Sequence, residues 1–145
     1  MLRRWAILTG VLLALAGCGG DDEEPIAAPT TTEATAGDDC VAADSSIMTP
    51  LGNKLLVEDG RARSGYLVES EAGGVYYISA EIDGTGLEGD GDVGTWVTES
   101  SGGGDPLYAL NDVAMEHSDW SDAASASLET DTDAEAASRA CVTAS

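Results

Sequence analysis

The chain has 145 residues, of which 27 are acidic and only 6 are Lys or Arg, so its formal charge is −21 and its isoelectric point lies near 4.1. A surface this acidic repels nucleic acid and other polyanions within a Debye length of about 8 Å at physiological salt, which argues against nucleic acid as a partner. The length and the 43% hydrophobic content suit one domain with a modest core.

The N-terminus carries an address. Arg3 and Arg4 give a positive start, residues 5–17 form an apolar run, and Leu15-Ala16-Gly17-Cys18 closes it with two small residues before a cysteine. A transmembrane helix needs about 20 apolar residues to cross roughly 30 Å of hydrocarbon. This run has 13 and includes Thr9 and Gly10, so it is too short to stay embedded. The order resembles the lipobox of bacterial lipoproteins. That resemblance implies a signal peptide over residues 1–17, a diacylglyceryl group on the Cys18 thiol with palmitate-type acyl chains, and cleavage that leaves Cys18 first. The expected location is the extracytoplasmic face of the cell membrane, held there by the lipid. Without its leader the chain keeps Lys54, Arg61, Arg63 and Arg139 against 27 acids, a formal charge of −23.

Residues 18–39 read as the lipidated cysteine and an acidic Thr/Pro-rich tether, since Ile26 is the single bulky apolar residue after Cys18. A flexible linker of this length spans roughly 25 Å, and its charges and prolines extend it further. With Cys18 committed to lipid, Cys40 and Cys141 remain as one pair in an oxidising compartment. A bridge between them closes a loop of about 100 residues and contributes about 4–5 kcal/mol in the chain-entropy account.

Residues 40–145 read as a single α+β domain. Val41, Asp44 or Ser45, and Met48 carry helical spacing over residues 40–48, behind Asp38 and Asp39 as cap and dipole partners. Pro50 divides or restarts that helix, and a second turn over 51–57 puts Leu51, Leu55 and Leu56 inward before Asp59-Gly60 stops it. From Gly65 the period becomes two. A strand over 66–70 leads through Ala72-Gly73-Gly74 into a longer one over 75–83, with Tyr76, Ile78, Ala80 and Ile82 on one face. Residues 93–99 form a third strand and 107–110 a short fourth. Asn111 caps a helix with Val113, Ala114, His117 and Ser118 on one face, and Thr132 to Glu135 has capping-box spacing ahead of a closing helix to about Val142. The expected architecture is an antiparallel three- to four-stranded sheet with flanking helices on one face, and a disulfide tying the first helix to the last.

Four patterns bear on function. Gly84-Thr85-Gly86-Leu87-Glu88-Gly89 spells a dinucleotide fingerprint, but acids surround it and a strand follows where a helix is needed, so it reads as a hairpin loop and no cofactor is expected. Asp83, Glu88, Asp90 and Asp92 offer oxygens for calcium, without the bidentate glutamate spacing of an EF-hand, and no metal is expected. His117, the single histidine, neighbours Glu116, Ser118 and Asp119. Adjacent helical residues point about 100° apart and do not assemble a triad, so a hydrolase centred on His117 needs a distant hydroxyl. Tyr76, Trp96, Tyr108 and Trp120, with Tyr77 nearby, form either an aromatic ligand face or the core of a domain that contains no phenylalanine.

Lipobox, acidic Thr/Pro tether and one small disulfide-linked domain together resemble small cell-envelope lipoproteins of high-GC Gram-positive bacteria. The functional expectation is a non-enzymatic module that binds an envelope protein or a small ligand. The alternatives are an envelope hydrolase using His117 and an acidic cation-binding module. Oligomeric state is not legible.

Overall fold

The computed structural model describes residues 39–87, 92–128 and 130–145. In chain order its elements are β1 (Val41–Ala42), α1 (Ser45–Asn53), β2 (Arg61–Glu69), β3 (Tyr76–Asp83), β4 (Val93–Thr98), β5 (Tyr108–Ala109), α2 (Asp112–His117), a 3-10 turn (Ala123–Ala126) and α3 (Thr132–Thr143). The strands form one antiparallel sheet in the order β1-β2-β3-β4-β5. Period-two alternation sorts their side chains onto two faces, and both faces are covered. Ile47 and Leu51 of α1 and Ala114 of α2 pack against Leu67, Ile78 and Trp96. On the opposite face Ala134 and Cys141 of α3, with Ala123, pack against Val68, Tyr77 and Val97. Every residue of β4 is buried, as expected of a strand enclosed on both sides.

The strand registers follow from local chemistry. Gly73 and Gly74 have φ of 75° and 78°, a conformation that glycine adopts without strain, and they reverse the chain so that Ser70 N–H donates to Val75 O at 2.8 Å. In β2 a bulge sets Ser64 and Gly65 against one residue of β3, and the register resumes with Tyr66 opposite Ser79. In β4 the Trp96 ring lies against Gly94. A Cβ at that glycine would stand 2.8 Å from Cζ3, so the side chain's absence makes room for the largest fully buried residue.

Two polar devices fasten the helices. Asn111 caps α2 by accepting from Ala114 N–H at 2.9 Å, and the same oxygen accepts from Thr95 N–H at 3.0 Å while its amide donates to Val93 O at 2.9 Å. Its side chain thus continues, as a surrogate peptide unit, the pairing that Leu110 N–H makes with Thr95 O. Under α3, the fully buried hydroxyls of Ser79, Thr95 and Ser138 form a chain. Ser138 donates to Glu135 O at 2.9 Å. Each hydroxyl has a single hydrogen, so Ser79 donates to Ser138 at 2.8 Å and Thr95 to Ser79 at 2.9 Å.

The expected small α+β class with an antiparallel sheet is observed, and several expectations are corrected. The sheet has five strands, because Val41 and Ala42 pair with Leu67 and Tyr66 instead of opening a helix. Helices cover both faces, not one. The Cys40–Cys141 disulfide, with Cα atoms 5.8 Å apart, therefore joins the residue ahead of β1 to α3 and does not link two helices. The first helix begins later, capped by Asp44, and runs through Pro50. Proline leaves the Ser46 carbonyl without its helical donor, and the Gly103 backbone packs there: a Cβ at Gly103, whose φ is 65°, would stand 2.6 Å from that oxygen. Leu56, expected inward, is 65% exposed. The cap of α3 is Asp131, one residue ahead of the expected Thr132.

Candidate functional site

A groove of about 670 Å³ lies where the start of the domain meets α1, β2 and α3. Ile47, Leu67, Val68, Tyr76, Ala134 and Ala137 give it an apolar floor. Asp39, Asp44, Glu69, Glu71, Asp131 and Asp133 give it an acidic rim, with no Lys or Arg in the lining. Carboxylates make up 6 of 16 lining residues against 27 of 145 in the chain, about twice the average density.

Local structure explains how these acids are held. Asp44 is the N-cap of α1, accepting from Ser46 N–H at 2.7 Å and Ser46 Oγ at 2.5 Å. The Ser46 hydroxyl, then its amide, hold the Asp44 carboxyl below the ordinary aspartate range. Asp131 is the N-cap of α3. It accepts from Asp133 N–H at 3.0 Å, from Ala134 N–H at 3.2 Å and from Ser70 Oγ at 3.1 Å. The Ala134 amide is the main influence that lowers its pKa, aided by Ser70. The backbone N–H of Asp131 donates to the hydroxyl of Tyr77, which burial pushes above the ordinary tyrosine value. Two helix N-termini thus open on one groove and their dipoles offset part of the charge of their caps. Asp39, Glu69, Glu71 and Asp133 lie outside the one ion pair among the described residues, Arg63 with Asp83 at 2.7 Å.

The groove also meets a strand edge. Ala43 N–H donates to Gly65 O at 2.9 Å, and Val41 stands opposite Leu67. The next outward-facing residue of β2 is Glu69, which has no strand partner on that side among the described residues. Continuing the ladder would place Asp39 opposite Glu69, a like-charge pair, and Cys40 is already drawn toward α3 by its disulfide. Val41, 57% exposed, stands at this edge.

A second pocket, of about 540 Å³, lies between α1 and the glycine-rich loop before β5, with Pro50, Pro106, Leu107 and Trp120 in its wall. The Lys54 ammonium sits 4.8 Å from the Trp120 ring centroid, and the indole N–H of Trp120 has no hydrogen-bond partner among the described residues.

The aromatic residues singled out from sequence do not share one face. Trp96 is fully buried and donates to Ser118 Oγ at 3.2 Å. Tyr76 lines the groove and Trp120 the second pocket. Tyr108, in register with Val97, lies on the α3 side of the sheet. His117 ends α2, half-buried. Its carbonyl accepts from Leu56 N–H at 2.9 Å, and among the described residues no hydroxyl or carboxylate bonds to its ring. Gly84 to Leu87 belong to the connection between antiparallel β3 and β4, with Thr85 N–H bonded to Glu58 O at 2.9 Å. Glu88 and Asp90 lie outside the described residues, as do Cys18 and the tether up to residue 38. Asp83 is engaged by Arg63. Among the described residues no group of three or more His, Cys, Asp or Glu is placed to hold a metal ion.

Comparison with protein-family models, curated proteins and solved structures finds no match.

Proposed function

We propose that the chain is a lipoprotein, anchored through diacylglyceryl Cys18 on the extracytoplasmic face of the cell membrane, whose domain is a non-enzymatic binding module. The observation that carries the binding role is the groove at the start of the domain, which joins an apolar floor to carboxylates that lie outside the one ion pair among the described residues. Its position supports the reading. Asp39 lines the groove and is also where the tether enters the domain, so a ligand held there sits beside the attachment point. The disulfide is consistent with an oxidising compartment.

Two measurements test the proposal. Palmitate labelling in a bacterial host is expected to mark the wild-type chain and not Cys18→Ser; labelling of neither overturns the anchor. For the module, the full chain captured by a C-terminal tag is expected to retain an envelope component at moderate salt. Retention is expected to be lost in Glu69→Lys/Asp133→Lys and kept in a chain with two lysines placed away from the groove, Asp112→Lys/Asp119→Lys. Equal loss in both variants overturns the groove as the binding site.

A further inference from the structure

We propose that the groove binds an extended, basic polypeptide segment, which pairs with the free edge of β2 at Glu69 while its Lys or Arg side chains meet the acidic rim. This inference rests on the binding-module reading above and names its partner class.

Three observations converge on it. First, the edge is geometrically ready. Alternation along β2 turns the main-chain groups of Gly65, Leu67 and Glu69 to the β1 side, and β1 uses only the first two. Ser70 N–H faces the other way, to Val75 O. An incoming strand therefore finds the Glu69 N–H and carbonyl at the next rung, in line with β1, which is the geometry of strand addition. Second, among the described residues the domain's own chain does not take that rung. Asp39 lies in a turn, and the sequence ahead of it is acidic, with Asp21, Asp22, Glu23, Glu24 and Asp38, so like charge disfavours it as a pairing partner for Glu69. Third, period two divides an added strand's side chains between both sides of the sheet, and both sides are acidic there. One side offers Asp44 and Glu69 beside Ile47 and Tyr76; the other offers Asp131 and Asp133 beside Ala134 and Ala137. A free polyamine would use the charge and leave the edge unpaired. A basic segment with alternating apolar residues uses both, and charge complementarity selects it over a neutral or acidic one.

The experiment is calorimetric titration of the full chain in neutral detergent at 150 mM salt with three capped six-residue peptides. One alternates Lys and Val, one alternates Glu and Val, and one is the Lys–Val peptide N-methylated at alternate amides. The Lys–Val peptide is expected to bind at one site, and the Glu–Val peptide is not. The N-methylated peptide keeps every charge but loses strand pairing, so it is expected to bind at least about tenfold more weakly. Glu69→Lys/Asp133→Lys is expected to weaken the Lys–Val peptide at least about tenfold, and Asp112→Lys/Asp119→Lys less than about twofold. Hydrogen exchange at the Glu69 amide is expected to slow in the complex. Equal binding of methylated and unmethylated peptides overturns the strand-addition inference, as does equal weakening by the two lysine pairs. If no peptide binds while envelope retention still depends on Glu69 and Asp133, this inference falls and the binding-module reading stands.

Discussion

The buried hydroxyl chain beneath α3 makes a quantitative prediction, because its donors run in one direction. Thr95 donates to Ser79, Ser79 to Ser138, and Ser138 to Glu135 O, and all three side chains are wholly inaccessible to water. Ser138→Ala removes the acceptor of Ser79 and leaves a buried O–H unpaired, at a cost of about 1–3 kcal/mol. Ser79→Ala does the same to Thr95 at similar cost. Thr95→Val removes the first donor and strands none, so it is expected to cost less than about 1 kcal/mol. The decisive quantity is the coupling. In Ser79→Ala/Ser138→Ala only Thr95 is left without an acceptor, so the double variant is expected to cost about as much as either single one. Adding Thr95→Val leaves no stranded donor and is expected to recover part of the loss. Urea unfolding with the disulfide intact, followed by far-ultraviolet circular dichroism, measures each step, with an unchanged m-value as the sign that only stability moved. Additive costs, or Thr95→Val as the most damaging single change, would refute the direction assigned to the chain.

Other expectations concern the cap, the disulfide and the pH response. Asn111→Ala removes three hydrogen bonds, including the α2 cap and the partner of Thr95 N–H, and is expected to cost about 2–3 kcal/mol in the same unfolding assay. Cys40→Ser/Cys141→Ser opens a loop with a sequence separation of 101 and is expected to cost about 4–5 kcal/mol, which calorimetry would record as a large fall in Tm. Because the folded-state pKa values of Asp44 and Asp131 are lowered, their contribution to stability is fully present above the ordinary aspartate value of 3.8 and is lost as pH falls below it through the folded values. The acid limb of a Tm-against-pH curve is expected to flatten in Asp44→Asn/Asp131→Asn. Tyr77 titrates in the opposite sense. Its raised pKa preserves stability below pH 10 and the contribution fades as pH rises through the folded value, so the ultraviolet titration of Tyr77→Phe is expected to lose a tyrosine step that lies above pH 10.

Legibility from sequence follows the range of the interaction that decides each element. The period of two in β3 and the cap at Asn111 depend on neighbours, and both are observed as expected. Val41 and Ala42 are not readable as a strand, because two residues carry no periodicity and their pairing partner lies some 25 positions away. Pro50 reads as a break, yet it is the sixth residue of α1, and the carbonyl it deprives lies against a glycine more than 50 positions later. Leu56 fits a helical stripe that ends early. The chain instead leaves α1 to bond His117 O and turns that side chain to solvent. The groove was the least legible feature. Its acids come from the domain start, the β2 end and two helix caps, and only the meander and the α3 docking bring them together. Within an acidic chain none of them stands out locally. The one available signal was that Asp44 and Asp131 precede helices, which foretells caps but not a shared opening.

The placement of the disulfide has a mechanical consequence. Tension on the chain ahead of the domain arrives at Cys40, where the covalent path forks into β1 and, through sulfur, into α3. Without that fork, a pull would act on a two-residue strand and peel it from the sheet edge one rung at a time, the geometry in which hydrogen bonds fail singly. With it, the load also passes into a 12-residue helix seated on the sheet by Ala134, Cys141 and the hydroxyl chain, where failure requires many contacts to yield together. Because Asp39 borders the groove, a partner held there would load the molecule over only a few residues, and the far strands β4 and β5 would stand outside the line of force.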